Sequence, residues 1–178
     1  MINPLLEALY QAHDAVALRG NLSHQSLVLS AIGSGDYFKA ISAALLTLGG
    51  VHAPLWQTYQ LLCTPNPVEC VKRLVDTGRK VPGWGNSFVK GAPDPAWEVV
   101  HQLIIDHAPA LEKKITSITY ALHGLNKIIY PNPSCYTASV AIHCQLDIDL
   151  VGELLIRGRL SAWTREYCRV KREAPVLA

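Results

Sequence analysis

The sequence is sparing with charge. Only 17% of its 178 residues are Asp, Glu, Lys or Arg, against 49% hydrophobic residues. That balance excludes a disordered chain, which needs high charge and little apolar surface. A net charge of +2 is too small to mark a nucleic-acid-binding protein by itself. Long apolar runs are missing as well. The most apolar stretch, Ile41 to His52, is too short and too rich in Ala, Thr and Gly to span a bilayer. No secretory signal pattern opens the sequence, because Asn3, Pro4 and Glu7 interrupt the first apolar residues. These absences predict a soluble, cytoplasmic protein, built as one compact domain or as a core with a small lobe.

Metal-site spacings are absent too. The five cysteines include no closely spaced pair of the kind that zinc ribbons use, and the seven histidines form no HExxH pattern. His101 and His107, six residues apart, fall on different helix faces. The expectation is five reduced thiols and no metal. Cys135, Cys144 and Cys168 read as small residues on apolar helix faces.

Alternating stretches of any length are missing, as are internal repeats and low-complexity tracts, so strands are not expected. What is present is helix punctuation. Helices are predicted over Pro4 to Ala17, over Leu22 to Ile32 with Gly33 as terminator, and over Tyr37 to Leu48 before Gly49-Gly50. The third is apolar almost all round, which predicts burial on every side, in a core or at a subunit interface. A fourth helix spans Ala53 to Leu62. Asn66-Pro67-Val68-Glu69 has the order of a capping box and starts a fifth, which ends at Gly78. Asp94-Pro95 starts the next, from Ala96 to Ile105, and Ala110 to Leu125 forms another. Tyr130-Pro131-Asn132-Pro133 breaks the chain again before Ser134 to Cys144, and the last helix covers Leu150 to Arg172. The fold class is all-α, an irregular helical globule rather than a simple bundle.

Three segments carry a resemblance. NLSHQSLVLSAIGSGDYFKAISAALLTLGGVHAPLWQTY, from Asn21, contains two apolar helices and a Gly-Gly-Val-His turn. VPGWGNSFVKGAPDP, from Val81, is a glycine loop with an aromatic residue, a lysine and an Asp-Pro helix start. IYPNPSCYTASVAIHCQLDIDLVGELLIRGRLSAW, from Ile129, has a Tyr-Pro-Asn helix start and a later arginine before Trp163. Together they resemble the citrate synthase superfamily, including its shorter citryl-CoA lyase-like members, over residues 20 to 167. The resemblance implies a citrate-synthase-like helical fold lacking the first half of the large domain. It divides the chain into 1–52, similar to the dimer-interface pair of helices; 53–133, a small-domain-like lobe; and 134–178, helices returning to the large-domain remnant.

In that family an aspartate removes a proton from an acetyl thioester, one histidine stabilises the enol oxygen and another activates a keto acid, while arginines and a histidine clamp carboxylates. Carried over by resemblance, His52 stands at the enol-stabilising position. Asn86 stands at the second histidine, and cannot shuttle a proton at neutral pH. Ser134 stands at the aspartate base and is far less basic. Lys90 matches a basic position near the CoA phosphates, and Arg159 matches an arginine clamp. Ala96 replaces an arginine, and a further family histidine has no counterpart near Leu18. Loss of a general base alone costs roughly 10²–10⁴-fold in rate.

Each of these residues also has a plainer reading. His52 reads as a capping or packing histidine, Arg159 as an exposed or salt-bridged helix residue, and Lys90 as a solvated loop lysine. Trp84 reads as an anchor for its turn. The basic run Arg157, Arg159, Arg165, Arg169, Lys171 and Arg172 reads as a solvated helix face, with nucleic-acid binding the minor alternative. A Ser134–His52–Cys135 nucleophile site has no acidic member.

The sequence is therefore read as a degenerate citrate-synthase-like protein. It would act as a structural or protein-interaction module, without cofactor, as a homodimer through helices 22–48. A compact derivative of a metabolic enzyme would suit a mobile element or a virus, with a virion as one location. The alternative is a residual binder, or acyltransferase or lyase, for a CoA thioester or a di- or tricarboxylate, with His52, Lys90 and Arg159 making the contacts.

Overall fold

The computed structural model describes residues 3–48 and 54–173. Among them there are nine α-helices, two short 3-10 turns and no strand, only one isolated bridge. The chain is all-α, as its punctuation predicts.

The first helix, α1 (Pro4–Val16), starts where the Asn3 side chain accepts a hydrogen bond from the Leu5 amide, with Pro4 in the first turn. Its residues Leu5, Leu9, Ala12 and Val16 recur at helical spacing and are all buried. Next, α2 (Leu22–Ser34) and α3 (Tyr37–Leu46) form a tight helical hairpin. Asn21 and Asp36 cap their starts. The terminator of α2 is Gly35, at φ +61°, and not Gly33, which stays helical. Only position 35 has to enter the left-handed region, where glycine costs least.

α3 is buried on one side only. Ala40, Ile41 and Ala44 are buried, whereas Phe38 and Leu46 are 77% and 86% exposed. Small residues on one face let α3 approach α2 and α9 closely, and its opposite face is left in solvent. Burial on every side is therefore not reached within one chain.

The remaining helices are α4 (Leu55–Cys63), α5 (Pro67–Asp76), α6 (Glu98–His107), α7 (Pro109–Gly124), α8 (Pro133–His143) and α9 (Val151–Glu173). α5 begins at Asn66-Pro67 as read, but the Asn66 side chain makes no capping bond. A 3-10 turn, Pro95–Trp97, precedes α6, and Asp94 caps it by accepting from the Ala96 amide. A second, Ile148–Leu150, precedes α9.

α8 is the centre of the main core. Every residue from Ser134 to Ala141 is buried, and α1, α4, α6 and α9 pack around it. Trp97 stacks on Tyr136, with ring centroids 5.4 Å apart. A second cluster joins the α2–α3 hairpin to the later part of α9 through Ala31, Ala40, Ala44, Ala162 and Trp163. α9 thus serves both clusters, because Leu154 and Leu155 belong to the first.

The basic run on α9 is largely paired. Arg157 bridges Glu153, Arg165 bridges Asp14, and Arg169 bridges Glu166 and Glu173. Lys171 donates to the Gly35 carbonyl. All five cysteines are free, but Cys168 is exposed rather than packed on an apolar face. Among the described residues no group of His, Cys, Asp and Glu could hold a metal ion, and no helix is long and apolar enough to cross a membrane.

Candidate functional site: a cleft with a buried arginine

The glycine loop is shaped by close backbone approach. Gly83 and Gly85 have φ of +85° and +89°. A Cβ on Gly83 would stand 2.5 Å from Thr58 Cγ2 and 3.4 Å from Cys135 Cβ, so the loop runs directly against α4 and α8. Between the glycines, Trp84 is buried and its Nε1 donates to Thr119 Oγ1 at 3.0 Å. It anchors the turn, as its plainer reading holds.

Main-chain bonds stitch this loop to the start of α8. Gly85 N donates to the Tyr130 carbonyl and Asn132 N to the Gly83 carbonyl, both at 2.9 Å. The Asn132 side chain donates to the Gly85 carbonyl and accepts from Ser134 N. Asn86 and Ser134 are thereby brought to the wall of one cleft of about 1460 Å³.

Arg159 reaches the same cleft from α9. It is only 8% exposed, which corrects its reading as an exposed or salt-bridged residue. Its one side-chain bond among the described residues is a long one, 3.5 Å, from a terminal nitrogen to Ser23 Oγ, and its Nε is buried without a partner there. No described carboxylate pairs with it, and none of the residues outside the described range is Asp or Glu. Burial pulls its pKa down to about 10, so it stays cationic at neutral pH.

His13 of α1 senses that charge. It is fully buried, with Nε2 2.8 Å from Thr137 Oγ1. The Thr137 hydroxyl donates to the Pro133 carbonyl, so it accepts from His13 Nε2–H. Nδ1 is left without a proton or a partner. Burial first, and the Arg159 charge second, hold His13 well below the usual histidine range.

A second charged pair lines the cleft. Arg19, just beyond α1, bridges Asp94 at 2.5 Å. Asp94 is almost completely buried; the oxygen that meets Arg19 also accepts from Asn86 Nδ2 at 3.0 Å, and its other oxygen caps Ala96. Asn86 Oδ1 accepts from the Phe88 amide. The polar atoms of Asn86 are thus used to hold its own loop.

Lys90 is exposed and lines an adjoining hollow of about 340 Å³, which shares Gly85, Asn86, Asp94 and Ile129 with the cleft. His52 lies outside the described residues. The structure thus groups Asn86, Ser134 and Arg159, places Lys90 in the hollow beside them, and adds Arg19, Asp94 and His13, which sequence reasoning did not assign to a site. One signal for His13 was available: it falls on the apolar stripe of Leu5, Leu9, Ala12 and Val16. Nothing local marks Arg19 and Asp94, which are 75 positions apart.

By sequence, no family model and no curated protein matches the chain. By structure, many solved chains are similar, among them the following three. The citryl-CoA lyase of Hydrogenobacter thermophilus superposes with a TM-score of 0.79 at 17% identity, covering 95% of this chain and 69% of its own. The citrate synthase of Thermotoga maritima MSB8 gives 0.82 at 20% identity, over 98% of this chain and 50% of its own. The ATP citrate lyase of Methanothrix soehngenii, solved with citrate and coenzyme A, gives 0.74 at 16% identity, over 94% and 31%. The chain thus spans about half the length of the citrate synthase and under a third of the ATP citrate lyase. At these identities the likeness speaks for fold, and it agrees with the resemblance carried by the three sequence segments: the chain has the helical fold of the citrate synthase superfamily.

Proposed function

We propose that this chain binds a small organic anion in the cleft and does not turn it over. One observation carries the reading. Arg159 is a buried cation with no carboxylate partner among the described residues, and it lines a large cavity. Desolvating an arginine without a counter-charge costs several kcal/mol. A bound carboxylate would offset that cost through paired N–H···O bonds.

The absence of turnover follows from the other groups. Ser134 is a poor base, and Asn86 cannot move a proton. Asp94 is the only carboxylate among the described lining residues. Its oxygens are already occupied by Arg19, Asn86 and Ala96 N, so it is badly placed to abstract a proton. A CoA thioester is not needed by this reading.

Calorimetry tests it with acetate, hexanoate, succinate, citrate and coenzyme A, on the wild type and on Arg159→Ala. At least one carboxylate should bind, with affinity lost in the variant, and no thiol should be released from acetyl-CoA in the presence of a keto acid. Carboxylate binding that is absent, or unchanged in Arg159→Ala, would sink the proposal.

A second reading concerns assembly. The outer face of the α2–α3 hairpin exposes Leu29, Ile32, Phe38 and Leu46 to 71%, 53%, 77% and 86%. Apolar side chains grouped in this way mark an interaction surface. A homodimer through this face would bury them, and would let the chain act as an interaction module whether or not its cleft is filled.

A further inference from the structure

Resting on the reading of Arg159 as the anion site, we infer that the cleft selects a singly charged anion with an apolar body over di- and tricarboxylates. The count of buried charges among its described lining residues decides this. Two buried or half-buried cations, Arg159 and Arg19, accompany one buried anion, Asp94. Arg19 and Asp94 satisfy each other at 2.5 Å. One positive charge is left over, and it is on Arg159. A ligand with one negative charge completes the set.

A second carboxylate has no such match. To reach Arg19 it must displace Asp94, which is 5% exposed and would be left charged and unpaired in a poorly solvated wall. If Arg19 keeps its partner, no other buried cation among the described lining residues is free to receive the second carboxylate. The other cations on the cleft wall, Arg79 and Lys80, are solvent-exposed, where water and salt weaken their pull.

The rest of the wall favours an apolar body. Leu48, Leu61, Leu74, Val81, Trp84 and Leu155 line the same cleft. Leu155 lies one turn before Arg159 on α9, so cation and apolar surface are adjacent. Asn86 already engages Asp94 and Phe88 N. A second carboxylate would lose its water here without a free buried cation among the described lining residues to receive it. Specificity is a difference of affinities, and both terms act against the polyanion.

Titration calorimetry of the full chain at fixed ionic strength tests the inference with acetate, butyrate, hexanoate and octanoate, against succinate and citrate. Affinity should rise along the monocarboxylate series by about fourfold for each added methylene. Hexanoate should bind at least about tenfold more tightly than succinate or citrate, the minimum that an unmatched buried charge should cost. Asp94→Asn removes the opposing charge and leaves Arg19 unmatched, so succinate should gain on hexanoate in that variant. Thermal melts report whether the variant folds, and the wild-type series decides the question without it. If citrate or succinate binds more tightly than hexanoate, and Arg159→Ala abolishes that binding, the selectivity is overturned while the anion site stands. Binding of no anion overturns both. So does hexanoate binding that survives Arg159→Ala, since it would then be driven by apolar contact alone.

Discussion

Gly158 of α9 stands directly against His13 of α1: a Cβ built on the glycine would lie 2.6 Å from His13 Cβ and 3.1 Å from Cγ. The nearest atom belongs to the stem of the histidine rather than to a mobile tip. The missing side chain is therefore what lets α1 and α9 approach at this point. That approach also places His13 beside the cation at position 159.

Gly158→Ala should destabilise the chain. Alanine gains roughly 1 kcal/mol over glycine in a helix interior, while overpacking costs about 1–3 kcal/mol. Because His13 Cβ cannot rotate away, the clash should win, by up to about 2 kcal/mol. Urea denaturation reads the difference, and an unchanged or raised midpoint would mean that the two helices separate at little cost.

His13 should make stability depend on pH. Its folded-state pKa lies below the unfolded value, so the unfolded chain binds the extra proton. Its contribution is therefore complete above the unfolded histidine value of about 6.5 and declines as pH falls through it. Between pH 7.5 and 5.5 the wild type should lose about 1 kcal/mol from this group. His13→Gln retains an N–H for Thr137 and cannot titrate, so its loss over the same interval should be smaller by that amount. The other histidines cancel in the difference, and equal slopes for the two proteins would refute the assignment.

Arg159→Met should be at least as stable as the wild type, with a gain of up to about 2 kcal/mol. It replaces an unmatched buried cation with an apolar chain of similar length, beside Leu155. A fall in the thermal midpoint would show that Arg159 is already compensated within the protein. Because Arg159 stays charged until pH nears 10, anion binding by the wild type should be insensitive to its titration between pH 6 and 8.

The α2–α3 face can be tested by charge. Light scattering should give the mass of a dimer for the wild type and of a monomer for the double variant Phe38→Glu, Leu46→Glu. Both side chains are exposed in the single chain, so its folding should change by no more than about 0.5 kcal/mol per site. A monomeric wild type at high concentration would remove the case for this face.

Local chemistry made much of the fold legible. Asn3, Asn21, Asp36, Asp94 and Asn132 all cap helices or turns with their side chains, and each lies next to an apolar or proline-led run in the sequence. What misled was chemistry that local order cannot decide. Gly33 and Gly35 are equally able to end a helix, and the tertiary position of the Asp36 cap selects the second. α3 looks apolar all round, but a helix packed on one side by alanines shows its larger side chains to the other. Among the six basic residues of one stretch, only the family resemblance marks Arg159 in the sequence; in the structure burial separates it from Arg157, Arg165 and Arg169, which find carboxylates. The Arg19–Asp94 pair joins two segments that only the fold brings together.

The bonds between the glycine loop and the start of α8 have one more consequence. They run through main-chain atoms and the Asn132 side chain, and none depends on the side chain at 134. The mould of the site is thus cast by the backbone, independently of what fills it. A carboxylate introduced by Ser134→Asp would be delivered to the cleft wall by an unaltered frame. The protein can lose or regain a reactive group there as a change of furnishing, with the room itself left standing.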